Sequence, residues 1–222
     1  MKNKIVKTLL ASSAAAAILL SGTAGGSAYA ASAFKDVEGY PQAAQITALQ
    51  QAGIFKGGSD GTFNPQGILT NAQAVQLTVD TFGLNIDNLR FIKKPEASDS
   101  FPKAKNDAWY SGALIIAAYS GLELPRDLDP NAPATRSSFA SMLIRAGQSS
   151  GALPMLRLVP VDIKDEASIP DGGSGPMQEA LAFGLLKLDK DGNIRPNQSL
   201  TRAEAAAVLY QAAVKGHAIE AK

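Results

Sequence analysis

Apolar side chains recur every three or four residues along three segments of the chain, and each segment begins at a threonine. Thr70 precedes Val75, Val79 and Phe82, a spacing that places one apolar stripe along a helix. Gln73 follows Thr70 at the position that completes a capping box. The second and third segments follow Thr135 and Thr201, with stripes at Phe139, Leu143 and Ala146 and at Ala203, Ala207, Tyr210 and Val214. The pattern therefore predicts three capped helices.

The three helix starts belong to a longer repeat, because the threonines lie 65 and 66 residues apart. A proline stands five residues before each threonine, at Pro65, Pro130 and Pro196. Further upstream comes a glycine–apolar pair, at Gly53-Ile54, Gly121-Leu122 and Gly184-Leu185. The first and third repeats also share an Asp-Gly turn, at residues 60–61 and 191–192. Each repeat is predicted to fold as a helix, a turn-rich loop and a second helix.

The first helix of each repeat is indicated by a shorter apolar stripe. In repeat one, Pro41 can open a helix that carries Ile46 and Leu49 and ends at Gly53. The corresponding stripes in repeats two and three are Tyr110, Ala113, Leu114 and Ala117, and Met177, Leu181 and Leu185. One hairpin of this kind cannot bury its apolar face alone, so the three repeats are expected to pack together.

The repeats divide the chain into successive regions. The predicted boundaries are 31–84 for repeat one, 85–99 for a connection, 100–147 for repeat two, 148–159 for a second connection, 160–216 for repeat three and 217–222 for a tail. Both connections are polar or punctuated by proline, which is typical of surface segments. The second connection contains Met155, Leu156, Leu158 and Val159, and we expect part of it to dock on the core.

Residues 1–30 have the pattern of a signal peptide. Lys2, Lys4 and Lys7 precede an apolar run at residues 8–20, and an Ala-Tyr-Ala cleavage pattern ends at residue 30. The run is too short for a permanent membrane span, although an uncleaved anchor is the competing interpretation. We expect export and a mature chain that starts near Ala31. No later segment is apolar enough over a sufficient length to cross a membrane.

Composition removes several kinds of chemistry. The chain of 222 residues has no cysteine and one histidine, His217, so disulfides, thiolate metal sites, cysteine nucleophiles and histidine-based triads are not expected. Removal of the signal peptide leaves 18 basic and 20 acidic residues, which does not favour nucleic-acid binding. Residues 189–200 begin like a calcium loop, but their glycine falls at position four instead of six, and Leu200 stands where the closing glutamate is needed. No cofactor or metal is predicted.

Four runs together resemble the S-layer homology (SLH) domain. Residues 34–37 read Phe-Lys-Asp-Val, residues 53–54 Gly-Ile, residues 60–65 Asp-Gly-Thr-Phe-Asn-Pro and residues 201–204 Thr-Arg-Ala-Glu. The resemblance covers essentially the whole predicted mature chain. It implies a mainly α fold in which three helix-loop-helix repeats form a pseudo-threefold arrangement around a central three-helix bundle. It also implies that grooves between repeats bind a secondary cell-wall polysaccharide bearing ketal-linked pyruvate.

The arginine of the Thr-Arg-Ala-Glu run is the anion-binding residue that this resemblance implies. It maps onto Arg202 and, in weaker context, onto Arg136, whereas Asn71 stands at that position in repeat one. We therefore expect one or two competent grooves. An arginine in the first helical turn lies against the positive end of the helix, so it needs an anion. The anion is either a protein carboxylate, from Glu204, Asp191 or Asp189, or a ligand carboxylate held bidentately.

Thr201, Trp109, Asp36 and Asp162 are the other candidate ligand-binding residues. Thr201 is expected to cap its helix beside Arg202. Trp109 is either a platform for a sugar ring at a groove wall or a core residue. Asp36 and Asp162 begin repeats one and three in matching Asp-Val and Asp-Ile pairs, and they either bind sugar hydroxyls or fix a loop.

The function predicted from the sequence is a non-catalytic carbohydrate-binding module that anchors to the wall polymer. The expected location is the cell wall or surface layer of a bacterium, and other surface-layer proteins are possible partners. The alternative is a degenerate SLH scaffold that acts as a structural or protein-interaction module, which Asn71, Gln73 and Ser137-Ser138 favour. A wall hydrolase is a third hypothesis, restricted to carboxylate chemistry because the chain has one histidine and no cysteine.

Overall fold

The regular secondary structure of the chain is helical over the residues that the computed structural model describes, 34–58 and 60–220. One turn of 3-10 helix lies at Glu166–Ser168. The α-helices of this part are α1 (Ala43–Gln51), α2 (Asn71–Phe82), α3 (Ala97–Ser100), α4 (Ser111–Tyr119), α5 (Arg136–Ser149), α6 (Ser174–Ala182) and α7 (Arg202–Lys215). The mainly α class is confirmed. The predicted signal peptide, residues 1–30, lies outside the described residues, and no described helix is long and apolar enough to span a membrane.

The three longest helices begin as the sequence predicts. Thr70 precedes α2, Thr135 precedes α5 and Thr201 precedes α7, and each threonine forms a complete capping box with the residue three positions later. In α5 that residue is Ser138, whose hydroxyl accepts a hydrogen bond from the backbone N–H of Thr135 at 3.0 Å. Each box satisfies backbone N–H groups that a helix start leaves without partners.

The first helices of the repeats end at the predicted glycines. Gly53, Gly121 and Gly184 follow α1, α4 and α6, with φ values of 73°, 73° and 75°. This left-handed backbone closes a helix and is adopted by glycine without steric cost. The chain then turns into the loop that leads to the next threonine.

Backbone hydrogen bonds join the three helix starts in a closed ring. The N–H of Leu69 donates to the carbonyl of Leu200, that of Leu200 to Ala134, and that of Ala134 to Leu69, at 2.9, 3.0 and 2.8 Å. All three side chains are buried. Because the ring joins residues more than 60 positions apart, each loop depends on the other two for its place.

Helices pack between repeats. α1 packs against α7, α4 against α2, and α6 against α5, while α2, α5 and α7 also contact one another. The first helix of each repeat thus covers the second helix of another, which buries the apolar faces as expected of interdependent repeats. The pseudo-threefold arrangement and the count of three SLH repeats stay predictions, which this packing supports.

One prediction about apolar segments is wrong in part, and another is confirmed through a different residue. In α7, Ala205, Ala206, Leu209, Ala212 and Ala213 are buried, whereas Ala207, Tyr210 and Val214 of the predicted stripe are only partly buried. Part of the second connection docks on the core as expected, but it does so through Leu153, while Met155 and Val159 are 77% and 90% exposed. A run of small or apolar residues does not by itself say which face a neighbouring element covers.

Candidate functional site

Arg202 occupies the first position of α7 and reaches across to the loop of repeat one. Its Nε donates to the carbonyl oxygen of Phe63 at 2.7 Å. The guanidinium lies over the ring of Phe63, 4.6 Å from its centroid, and 5.6 Å from that of Phe55. These two rings meet edge to face, which fixes the surface on which the guanidinium rests. The arginine is therefore held in place through one nitrogen and one face.

No carboxylate pairs with Arg202 among the described residues. Glu204 accepts hydrogen bonds from the backbone N–H and hydroxyl of Thr201, and Asp189 pairs with Arg195. The interpretation of a protein carboxylate as the partner of Arg202 is therefore wrong for this part of the chain. Burial lowers the pKa of the Arg202 guanidinium from its ordinary value, and the charge of Asp36 raises it only in part. A desolvated cation of this kind is stabilised by an incoming anion.

Arg202 and Trp109 line one groove, which we call the Arg202 groove. Its volume is about 410 Å³. The other lining residues come from the loop of repeat one and from α2: Ile54, Phe55, Lys56, Gln73, Gln76, Leu77 and Asp80. Trp109 is 64% exposed, so the core interpretation of this residue is wrong. The indole stacks edge to face on Tyr110 and presents apolar surface in the groove beside polar amides and cations.

Arg136 repeats the anchoring of Arg202 in a different electrostatic setting. It begins α5, and its Nε donates to the carbonyl oxygen of Ile194 at 2.9 Å. Burial lowers the pKa of this guanidinium, Glu204 raises it, and Arg195 lowers it further. Arg136 therefore shares its surroundings with charges of both signs, whereas Asp36 supplies the main neighbouring charge at Arg202.

Asp36 fixes a loop. Its two carboxylate oxygens accept hydrogen bonds from the backbone N–H groups of Phe63 and Asn64, both at 2.7 Å. The carbonyl oxygen and the ring of Phe63 hold the Arg202 guanidinium, so Asp36 positions the arginine through this loop. The role that Asp36 plays toward a ligand stays a prediction.

The correspondence of Asp36 with Asp162 is wrong. In repeat three, Asp165 accepts the equivalent hydrogen bonds, from the N–H groups of Ile194 and Arg195 at 2.8 Å. Asp162 pairs with the exposed Lys164. The sequence does carry the correct signal, because Ile-Lys-Asp at residues 163–165 matches Phe-Lys-Asp at residues 34–36. The Asp-Val and Asp-Ile pairs at residues 36–37 and 162–163 favour a different alignment, in which Asp162 takes the place of Asp165.

The remaining candidates lie in other grooves. Thr201 caps α7 and lines a groove with residues 38–42. Asn71 donates from Nδ2 to the carbonyl oxygen of Asp129 at 3.0 Å and lines a third groove, of about 550 Å³. This third groove also holds Glu123 and Arg145, which the sequence did not single out. The structure thus places Arg202 and Trp109 in one groove, whereas Thr201 and Asn71 line the two others.

The described residues offer no group of His, Cys, Asp and Glu side chains that could hold a metal ion. His217 is exposed at the end of α7. The Asp-Gly pairs form turns: the carboxylate of Asp60 accepts from the N–H of Thr62, and Asp189 accepts from the N–H groups of Asp191 and Asn193.

Comparison with known proteins finds one protein family that two regions of the chain match. A family model described as the S-layer homology domain matches residues 33–75 and 162–206, which fall in repeats one and three. Two regions of the chain are therefore similar to the S-layer homology domain. Residues 76–161, which contain all of repeat two, lie between the two matches.

The relatives are proteins several times longer. The Surface-layer 125 kDa protein of Lysinibacillus sphaericus is 27% identical over 214 residues, which cover 94% of this chain and 17% of that protein. An exoglucanase of Acetivibrio thermocellus is 25% identical over 87% of this chain and 17% of its own length. An uncharacterized cell wall amidase of Bacillus anthracis is 27% identical over 82% of this chain and 32% of its own. What this chain shares with them is thus a minor part of each.

Proposed function

We propose that the chain anchors to the bacterial cell wall by binding a secondary wall polysaccharide that bears ketal-linked pyruvate. The Arg202 groove is the binding site, and the module has no catalytic role of its own. Matches to the SLH model and to a surface-layer protein support wall anchoring. The predicted signal peptide supports an exported, wall-bound location.

The observation that carries this proposal is the half-buried Arg202 guanidinium without a carboxylate partner among the described residues. Its Nε and one face are used by Phe63, and none of its terminal nitrogens donates to a described residue. Those nitrogens suit a bidentate contact with a carboxylate. A pyruvate ketal supplies such a carboxylate on a rigid sugar ring.

Trp109 completes a surface for a sugar. Its exposed indole gives an apolar face on which the C–H face of a sugar ring can pack, and Lys56, Gln76 and Asp80 offer hydrogen-bonding groups nearby. Gln76 already donates to Asp80 at 2.8 Å, so both side chains are oriented before a ligand arrives. Such preorganisation reduces the entropy that binding costs.

Co-sedimentation with purified sacculi tests the proposal. We expect the protein to pellet with sacculi that carry the secondary polymer and to stay in solution with sacculi stripped of it. Arg202→Gln removes a charge-assisted contact and is expected to weaken binding about tenfold to 100-fold. Arg90→Gln is the matched control, because Arg90 is exposed and lines none of the three grooves described above.

Each other outcome has a definite meaning. Polymer-dependent pelleting that survives Arg202→Gln would move the site to another groove, with Arg136 as the next residue to change. Failure of the wild-type protein to pellet would contradict wall anchoring and would favour the scaffold that acts as a protein-interaction module.

A further inference from the structure

The third groove, which we call the Glu123 groove, contains an ion pair across its mouth. Arg145 on α5 pairs with the carboxylate of Glu123, which follows α4. Arg145 also donates from Nη2 to the carbonyl oxygen of Gly172 at 3.2 Å. The side chain of Arg145 is 20% exposed and that of Glu123 is 68% exposed. The cation is thus largely enclosed, and the carboxylate covers it from the solvent side.

Repeat positions show how this groove differs from the Arg202 groove. Glu123 is the second residue after Gly121, where repeat one has Phe55 after Gly53. Arg145 stands ten residues after Thr135, where α2 has Asp80. The Arg202 groove therefore has a cation at the helix start on an aromatic surface, with an acid on the facing helix. In the Glu123 groove the cation lies on the facing helix, and the acid replaces the aromatic residue.

We infer that Glu123 is a built-in carboxylate that occupies Arg145 and closes the Glu123 groove to carboxylate ligands. The groove has the volume and the cation that such a ligand needs, at about 550 Å³ with one enclosed guanidinium. What it lacks is a free cation, because the protein itself supplies the anion. This inference rests on the proposed function for its choice of ligand class, since it explains which groove the ligand does not enter.

The backbone at Glu123 supports a specific placement of this carboxylate. Glu123 has a φ of 51°, in the left-handed region that non-glycine residues rarely adopt. At this conformation its side chain meets Arg145. A carboxylate of the protein that occupies the cation competes with a ligand carboxylate. The apparent affinity for the ligand then falls in proportion to the fraction of molecules in which the cation is open. Ion pairs with one exposed partner reach closed-to-open ratios of about four, so the apparent affinity for a ligand carboxylate is lowered about fivefold.

An NMR titration with 2,2-dimethoxypropanoate, the dimethyl ketal of pyruvate, tests the inference. The backbone amides of Gly172 and Gly173 report on the Glu123 groove, which both residues line. The indole N–H of Trp109, the one tryptophan in the chain, reports on the Arg202 groove. For Glu123→Gln we expect saturable shifts at the two glycines with an affinity about fivefold higher than in the wild-type protein.

Two further variants make this result specific. Asp127→Asn removes a negative charge from the lining of the same groove, and no ion pair joins Asp127 to a described residue, so its titration should match the wild type. Adding Arg145→Gln to Glu123→Gln should abolish the shifts at Gly172 and Gly173. The rest of the spectrum verifies that each variant is folded.

The inference is overturned if Glu123→Gln leaves the glycine titration unchanged, or if Asp127→Asn raises the affinity equally. A wild-type protein that already binds tightly at the two glycines would overturn it as well. If Trp109 does not respond but the glycines of Glu123→Gln do, the proposed Arg202 site fails and the inference stands.

Discussion

The Arg202 groove and the Glu123 groove are built from corresponding parts of different repeats, yet they differ in what satisfies their arginine. In the first, Arg202 rests on Phe63 and has no carboxylate partner among the described residues. In the second, Arg145 has a carboxylate from Glu123 and a carbonyl from Gly172. One backbone arrangement therefore supports an open cation in one place and a neutralised cation in another.

Whether a groove holds an unpaired cation depends on side chains outside the motif. The Thr-Arg-Ala-Glu run locates Arg202, but the surface that holds its guanidinium comes from Phe55 and Phe63 in another repeat. In the Glu123 groove, the substitution of arginine by Asn71 is accompanied by an arginine from α5. A motif that is missing at one position thus does not mean that the groove lacks a cation.

The largest expected effect comes from removing the aromatic surface under Arg202. Phe63 is 1% exposed, and its ring lies 5.3 and 5.0 Å from those of Phe34 and Phe55. Phe63→Ala is expected to lower the free energy of unfolding by about 3–5 kcal/mol, because a buried aromatic ring is lost and a cavity is left. Urea denaturation followed by circular dichroism measures the change.

Leu128→Ala is the matched variant on the Glu123 side, because Leu128 and Phe63 both stand seven residues before the capping threonine. Leu128 is buried like Phe63 but has the smaller side chain, so we expect a loss of about 2–3 kcal/mol. A loss below about 1 kcal/mol for Phe63→Ala would contradict the conclusion that the aromatic cluster holds the loop.

Much of the fold follows from the sequence because local rules decide it. Thr70, Thr135 and Thr201 start helices, and Gly53, Gly121 and Gly184 end them, as backbone hydrogen bonding requires. The partner of each helix could not be predicted in the same way. Whether α1 packs on α2 or on α7 depends on contacts between residues far apart in the chain, which periodicity does not encode.

Only part of the site could be predicted, because contacts between residues far apart in the chain assemble the grooves. Arg202 and Trp109 were singled out separately, and only the folded chain shows that they share a groove. Glu123 and Arg145 lie 22 residues apart with no pattern that joins them, so their ion pair could not be anticipated. The sequence does identify Asp165, because its Ile-Lys-Asp context matches Phe-Lys-Asp at residues 34–36 over three residues instead of two.

A smaller effect separates capping from ligand binding at Thr201. Its hydroxyl accepts from the N–H of Glu204 at 3.2 Å and donates to the Glu204 carboxylate at 3.0 Å. Thr201→Ala is therefore expected to cost about 1 kcal/mol of stability, measured by thermal denaturation. Wall binding of the folded variant should change by less than about twofold, since the Thr201 hydroxyl is engaged with Glu204 and Thr201 lines a different groove from Arg202.

Thr201→Ser is the control for this experiment, because it keeps the capping oxygen. Loss of polymer-dependent pelleting in Thr201→Ala, at a temperature where the variant is folded, would instead make Thr201 a ligand-binding residue. The Arg202 groove would then have to extend around the start of α7.

The smallest effect concerns acid, and it distinguishes the loops under the two grooves. Partial burial raises the pKa of the Asp36 carboxyl, but hydrogen bonds from the N–H groups of Phe63 and Asn64 outweigh it, so the pKa lies below its ordinary value. The carboxylate therefore stabilises the folded state above the unfolded pKa of about 4, and this contribution is lost as the pH falls through the lower, folded value.

In the Glu123 groove, the N–H of Leu128 donates to the carbonyl of Pro125, which does not titrate. We expect the hydrogen-exchange protection of the Phe63 and Asn64 amides to fall as the pH drops below about 4, while that of Leu128 changes little. In Asp36→Asn the pH dependence at Phe63 and Asn64 should disappear. Equal acid sensitivity of all three amides would mean that global unfolding, and not Asp36, governs the loop that carries Arg202.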